Sequence, residues 1–124
     1  MPRRYQRKRN VSADIPAGAV YVGRPTKWGN PFKVGESIRS DDLRWKVIES
    51  LYGDAVRGFR SLKFGQQSVC DLYFEYIVNI PHLWLEARDE LHGKDLVCWC
   101  KPDEPCHADL LLAIANDEDF GKTT

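Results

Sequence analysis

The chain has 124 residues, and its 18 lysines and arginines are balanced by 18 aspartates and glutamates. This length suits one domain that buries a core without disulfide or metal support. A composition of 43% hydrophobic and 29% charged residues excludes wholesale disorder, collagen and coiled coil. The apolar run at residues 110–115 is too short to span a bilayer. Because no apolar stretch follows the basic N-terminus, we expect a cytoplasmic protein.

The first ten residues differ in charge from the rest of the chain. They carry five basic side chains and no acid, so the other 114 residues have a net charge of −5. We predict a basic, flexible arm over residues 1–17. Such an arm either contacts nucleic acid or another anionic partner, or is a solvated terminus that aids solubility or folds back onto the acidic body.

In chain order, the hydrophobic pattern predicts two strands and four helices. Residues 19–22 are β-branched and aromatic, which indicates a strand, and residues 95–100 indicate a second. Two glycines and two prolines in residues 23–32 predict an ordered loop, hereafter the glycine-rich loop. The spacing of apolar residues predicts four helices, at residues 40–57, 68–78, 81–92 and 106–116. Ser40 and Pro81 are typical of helix starts, and glycines mark helix ends.

This order of elements predicts a single α/β domain over residues 18–116, followed by a polar tail at residues 117–124. Strands separated by helices favour a small parallel sheet, here covered by about four helices. Two strands are few for a sheet. A third is expected at residues 32–34 or 62–64.

A cluster of cysteines near the C-terminus carries the clearest chemical signal. Cys98, Cys100 and Cys106 precede His107 within ten residues, and on a strand the first two would share a face while Trp99 points the other way. Three interpretations remain open. The residues bind Zn²⁺, with His107 or the more distant His82 or His92 as fourth ligand; Cys106 is a nucleophile activated at a helix N-terminus; or the cysteines are simply buried.

The glycine-rich loop is the second candidate site. Gly23 would let backbone approach a ligand, Arg24 and Lys27 could meet a phosphate or carboxylate, and Trp28 could stack on a base. The loop could equally be a rigid turn in which Trp28 fills the edge of the core. If the two strands are parallel neighbours, this loop and the Cys/His segment (residues 98–107) leave the sheet at the same edge, where open α/β sheets bind ligands.

Together these motifs resemble a known family. The segments Val20 to Phe32 and Leu96 to Asp109 are similar to a small family common in bacteriophages, especially those of actinobacteria, that is classed as a domain of unknown function. The resemblance covers roughly residues 19–115 and implies a phage or bacterial cytoplasmic setting. It supplies no activity, but its motifs include Asn30 and Asp109 beside the residues already singled out.

We therefore expect a crevice that binds a nucleotide or nucleic-acid-derived ligand. If the protein is an enzyme, Cys106 or a cysteine-bound Zn²⁺ performs the chemistry, Arg24 and Lys27 position the anion, and Asp109 orients His107. The alternative is a non-enzymatic phage accessory protein, in which the cluster is a structural zinc staple and the arm or an acidic face binds host nucleic acid or protein.

Overall fold

A computed structural model describes residues 2–7, 15–101 and 103–116. Within these ranges the chain forms five short strands, four α-helices and a 3₁₀ helix. In chain order they are β1 (Arg4–Gln6), β2 (Val20–Tyr21), β3 (Ile38–Arg39), α1 (Trp45–Tyr52), the 3₁₀ helix (Gly53–Val56), β4 (Ser61–Leu62), α2 (Gln66–Val78), α3 (Pro81–Glu90), β5 (Leu96–Cys98) and α4 (His107–Asn116). This arrangement confirms the predicted α/β class.

The main sheet is parallel and has the order β1-β5-β2. Leu96 pairs with Arg4 on one side and with Val20 on the other, so β5 is the central strand and all three of its residues are buried. A buried strand with sheet on both sides is expected to read as a continuous apolar run. The predicted parallel pairing of residues 19–22 with 95–100 is therefore confirmed.

The third strand of this sheet lies where we expected a flexible arm. Arg4–Gln6 form β1, and the Arg7 amide donates a 2.7 Å hydrogen bond to the Cys98 carbonyl oxygen. The prediction of a flexible arm was wrong for these residues. The basic side chains suggested a solvated segment, whereas the backbone forms a strand that pairs with residues 92 positions away. Residues 8–14 of the predicted arm and the tail at residues 117–124 lie outside the described residues.

A second, antiparallel sheet joins β3 to β4, with Ile38 opposite Leu62. The expected third strand at residues 62–64 thus exists in part, but it extends this small sheet and not the main one. Residues 32–34 lie in a loop.

Helix α1 begins five residues later than its predicted start at Ser40. The Asp42 carboxylate accepts a 2.8 Å hydrogen bond from the Arg44 amide, which is a local turn that competes with helix. The helix ends at Tyr52, ahead of the predicted stop near Gly58, because Gly53 has a φ of 58° and turns the chain into the 3₁₀ helix. Helices α2, α3 and α4 lie within about two residues of their predicted positions.

The core consists of two clusters of buried side chains that meet at α2. One cluster lies between the main sheet and helices α2, α3 and α4, and the other lies among α1, α2 and the small sheet. Within the described ranges, none of the helices has the length and apolar character that a bilayer crossing requires.

Candidate functional site

The two predicted loops meet at the carboxyl edge of the main sheet. Because β2 and β5 are parallel neighbours, the glycine-rich loop and the Cys/His segment leave the sheet on the same side. Between them lies a crevice of about 350 Å³. Its walls are formed by the glycine-rich loop and the two residues after it, by the Cys/His segment, and by the first turn of α2. The crevice that the sequence predicted is therefore present.

Two glycines allow the glycine-rich loop to fold tightly beside the crevice. A side chain at Gly23 would collide with the ring and hydroxyl of Tyr21. A Cβ at Gly29 would lie 2.9 Å from Cγ of Arg24. The Tyr21 hydroxyl donates a 2.8 Å hydrogen bond to the Arg24 carbonyl oxygen, and the Arg24 guanidinium donates one of 2.8 Å to the Asn30 carbonyl oxygen. The loop is thus cross-linked by its own polar groups.

Of the five residues predicted to bind a ligand in this loop, three line the crevice: Gly23, Arg24 and Asn30. Asn30 is buried, so its role is largely internal. Its Nδ2 donates to the Val69 carbonyl oxygen, and its Oδ1 accepts from the Phe32 amide, both at 2.9 Å.

Lys27 and Trp28 do not line the crevice. The Lys27 ammonium lies 2.9 Å from a carboxylate oxygen of Glu90 and 3.4 Å from one of Glu86, both on α3. Trp28 is only 4% exposed and packs in the core, where its carbonyl oxygen accepts a 2.7 Å hydrogen bond from the Tyr73 hydroxyl. The alternative in which Trp28 fills the edge of the core is the arrangement found.

Three thiols converge on the opposite wall. The Sγ atoms of Cys98, Cys100 and Cys106 all lie within 4.8 Å of one another, and those of Cys98 and Cys106 are 3.3 Å apart. Cys98 ends β5, Cys100 follows in a bend, and Cys106 precedes the first residue of α4. Hereafter these residues are the thiol cluster. A metal ion could bind here, because thiolates crowded at this spacing are the ligands that Zn²⁺ prefers.

His107 is buried beside the thiol cluster but outside it. Its Nε2 lies 2.7 Å from the Val22 carbonyl oxygen. Since a carbonyl only accepts, Nε2 is the donor, and Nδ1 faces Cys106 Sγ at 3.7 Å. The ring also meets the edge of Tyr73, with centroids 5.0 Å apart. A thiol with an imidazole at this position is an arrangement suited to nucleophilic catalysis.

Asp109, predicted to orient His107, has a different partner. Its carboxylate oxygen lies 3.1 Å from Nε of Arg4, and the Val22 carbonyl is the group that orients His107. The other histidines considered as zinc ligands do not reach the cluster either. His92 Nδ1 lies 2.8 Å from the Ala115 carbonyl oxygen, and the exposed His82 is in the first turn of α3.

The environment of the cluster separates the thiol pKa values. The pKa of Cys106 lies well below its ordinary value, first because the Cys98 thiol donates to it, and further because of His107 and the Ala108 amide, 3.5 Å from Sγ. The same hydrogen bond, together with burial, raises the pKa of Cys98. Burial is the main cause that raises the pKa of Cys100 to about 11. Of the three thiols, Cys106 is therefore the one that loses its proton most readily.

Among the residues that sequence reasoning missed, three lie around the thiol cluster. The Arg4 guanidinium donates to the carbonyl oxygens of Lys101 and Glu104, and so ties β1 to the loop before Cys106. Gln66 Nε2 donates to the Pro105 carbonyl oxygen at 2.6 Å and lies 4.0 Å from Cys100 Sγ. Cys70 lines the crevice from α2, and burial raises its pKa to about 12. Of these three residues, only Cys70 could have been suspected from the sequence, because it is the fourth cysteine.

These features define a class: a small α/β protein with a thiol-lined crevice at the carboxyl edge of a parallel sheet. The chain belongs to the family described as "Domain of unknown function (DUF4326)", which matches residues 5–117. The match covers both walls of the crevice and begins inside β1. No curated protein and no solved structure matches the chain.

Proposed function

We propose that the protein binds a nucleotide or nucleic-acid-derived ligand in the crevice, beside a Zn²⁺ ion held by Cys98, Cys100 and Cys106. The observation that carries this proposal is the composition of the crevice wall. Cations stand on one side, three crowded thiols stand on the other, and none of the described residues that line it is an aspartate or glutamate. A phage or bacterial cytoplasmic setting is part of this proposal, on the family resemblance of the two motifs.

The charge of the wall favours an anion. Arg24 and Lys33 line the crevice, whereas acids and bases are equal in number over the whole chain. Cations without neighbouring carboxylates attract phosphate, and an arginine can bind it through two parallel hydrogen bonds. A crevice of about 350 Å³ is at the lower end of the range that small-molecule sites occupy, about 300 to 1,000 Å³.

The geometry of the thiol cluster fits zinc. Zn–S bonds of about 2.3 Å in a tetrahedron place the sulfurs about 3.8 Å apart. The three Sγ atoms, within 4.8 Å of one another and as close as 3.3 Å, need shifts of about 1 Å or less to reach that spacing. A zinc ion held by these three thiolates would have a fourth coordination position for water or a ligand, and all three cysteines line the crevice. An open position of this kind is typical of catalytic zinc, which activates water or polarises a bound oxygen.

Metal content tests the zinc assignment. Elemental mass spectrometry of protein purified without chelator or His-tag should give about one zinc per chain for the wild type, and much less for Cys98→Ser. His107→Gln should keep the metal, because His107 is not a ligand here and glutamine can still donate to Val22. Cys70→Ser is the matched control, a crevice cysteine outside the cluster. Wild-type protein that takes up no zinc, or an equal loss in the control, would contradict the assignment.

Ligand binding is tested separately by calorimetry with the four nucleoside 5′-monophosphates. Lys33→Ala should weaken binding, and Arg24→Ala should abolish the thermal shift that a nucleotide causes. Lys46→Ala, at an exposed side chain that does not line the crevice, should leave both unchanged. Binding should also weaken with salt, because exposed charges are screened. Unchanged nucleotide binding in both crevice variants would contradict the proposed nucleotide site.

A structural staple is the second candidate. The cluster joins the end of β5 to the start of α4 across a short loop, and Arg4 reinforces the same junction. In an accessory protein of this kind, zinc would fix the loop while the basic N-terminal segment binds host nucleic acid or protein. Cobalt substitution distinguishes the two, since Co²⁺ in the cluster should change its absorption when a nucleotide enters an adjoining crevice. A spectrum indifferent to nucleotide, with a large fall in melting temperature on chelation, favours the staple.

A further inference from the structure

Trp99 is an exposed tryptophan at the mouth of the crevice. It lines the crevice and is 49% exposed, whereas Trp28 and Trp45 are 4% and 7% exposed and fill the core. Strand alternation predicted that Trp99 would point away from Cys98 and Cys100. Its indole contacts Tyr21, which pairs with Val97 and so lies on the sheet face opposite Cys98, as alternation predicted. From that face Trp99 borders the mouth of the crevice at the carboxyl edge of the sheet. Core packing does not explain why a large aromatic ring lies in solvent here.

The indole is held in place without a ligand. Its Nε1–H donates a 2.9 Å hydrogen bond to the Tyr21 hydroxyl. That hydroxyl in turn donates to the carbonyl oxygen of Arg24, in the glycine-rich loop. The ring that forms one side of the crevice mouth is therefore cross-linked to the opposite wall. A ring ordered in advance loses little conformational entropy when a flat ligand stacks on it.

Positive charge accompanies this ring. The Arg7 guanidinium carbon lies 5.4 Å from the Trp99 ring centroid and 5.2 Å from that of Tyr21. Together with Arg24 and Lys33 on the crevice wall, it makes the mouth complementary to a ligand that joins a flat ring to an anion. Such a ligand is a nucleotide, because bases stack on aromatic side chains and phosphates pair with cations.

We infer that Trp99 is the residue on which the base of a mononucleotide stacks, with the phosphate directed to Arg24 and Lys33. This inference rests on the proposed nucleotide-binding function and specifies which part of the ligand the mouth recognises. The small volume of the crevice favours a mononucleotide over a nucleic-acid strand. Trp99 then contributes affinity for the base, and the cations of the wall contribute affinity for the phosphate.

The test compares two probes that share a phosphate but differ in the base: adenosine 5′-monophosphate and ribose 5-phosphate. Stacking contributes about 1–3 kcal/mol per base, so Trp99→Leu should weaken the nucleotide roughly 5- to 150-fold and leave ribose 5-phosphate unchanged. Trp99→Phe, which keeps a ring, should retain most of the affinity. Nucleotide should quench wild-type tryptophan fluorescence, and the part of the quenching that Trp99 contributes should disappear in Trp99→Leu.

The possible outcomes distinguish a failure of the stacking role of Trp99 from a failure of nucleotide binding itself. If Trp99→Leu weakens the binding of both probes equally, or of neither probe, the stacking role is wrong while nucleotide binding stands. If a single-stranded oligonucleotide binds and no monophosphate does, the mononucleotide assignment is wrong. If the wild type binds none of these probes, the proposed function fails, and the stacking inference fails with it.

Discussion

Asn30 shows how one side chain fixes the crevice wall. Its amide joins the glycine-rich loop to α2 through the Val69 carbonyl, and it caps the Phe32 amide on the other side. We expect Asn30→Ala to leave the buried Phe32 amide without a partner, whereas the Val69 carbonyl loses one bond and still accepts within α2. An unpaired buried group costs about 1–3 kcal/mol and a lost hydrogen bond about 1 kcal/mol, so the free energy of unfolding should fall by about 2–4 kcal/mol, measured by urea denaturation.

The control for this prediction is Asn79→Ala. Asn79 also donates its amide to a carbonyl oxygen, that of Glu75 at the end of α2, but it is exposed and water can replace the bond. Its loss should be at most about 1 kcal/mol, in the range of a typical hydrogen bond. Similar losses of unfolding free energy in the two variants would show that the burial of Asn30 does not determine its contribution to stability.

At the scale of elements, one arginine side chain ties β1 to the loop before α4. The Arg4 side chain is 9% exposed and donates to two loop carbonyls in addition to its ion pair with Asp109. We expect Arg4→Ala to lower the free energy of unfolding by about 2 kcal/mol, because two loop carbonyls and the Asp109 carboxylate lose a charged donor. Urea denaturation of reduced, metal-free protein measures this without any contribution from zinc.

Two further variants sharpen the Arg4 experiment. Arg3→Ala changes the neighbouring exposed side chain and keeps its backbone bond to Asp95, so it should be nearly neutral. Arg4→Lys keeps the charge but not the planar fork, and should recover only part of the loss. Full recovery with lysine would mean that charge alone holds β1 in place.

The turn before α1 should make stability depend on acid. Hydrogen bonds from the Arg44 side chain and amide lower the pKa of Asp42 to about 2, from its ordinary value of 3.8. Because the folded pKa lies below the unfolded one, the carboxylate stabilises the fold above about pH 4, and this contribution disappears as the pH falls through 2. Asp42→Asn should therefore lower the melting temperature at pH 6 and converge on the wild type near pH 2.

The neighbouring Asp41→Asn is the control for this pH dependence. Asp41 pairs with Arg39 at 3.3 Å on a surface where both side chains are more than 70% exposed, so its removal should matter less. A constant difference between Asp42→Asn and the wild type over the whole pH range would contradict the assignment to the carboxylate.

How far the sequence predicts these elements depends on the range of the interactions that form them. Helices α2, α3 and α4 and strand β5 carry their own apolar pattern, so local periodicity was sufficient. Strand β1 has three half-buried residues and exists through pairing with β5, which no local pattern records. At the site, the meeting of the two loops followed from parallel strands. That Trp28 is buried while Trp99 borders the crevice did not follow from the sequence, because it depends on how the two loops fold beyond the ends of their strands.

At the scale of the whole molecule, α2 joins the two halves of the core. Its residues Val69 and Leu72 belong to the cluster around α1, while Tyr73 and Ile77 belong to the cluster under the main sheet. Tyr76 packs against both clusters. Since neither half can lose α2 without exposing apolar surface, the two clusters should unfold together.

The indole signals of Trp45 and Trp28 report on the two clusters in nuclear magnetic resonance spectra recorded through a urea titration. Both signals should be lost with the same midpoint urea concentration. Ile48→Ala, which empties a fully buried site in the α1 cluster, should lower the free energy of unfolding by about 2–5 kcal/mol and shift both midpoints equally. Leu43→Ala, at a side chain that is 84% exposed, should shift neither. A Trp28 midpoint that stays fixed in Ile48→Ala would show that the half of the core beneath the crevice is stable without the other.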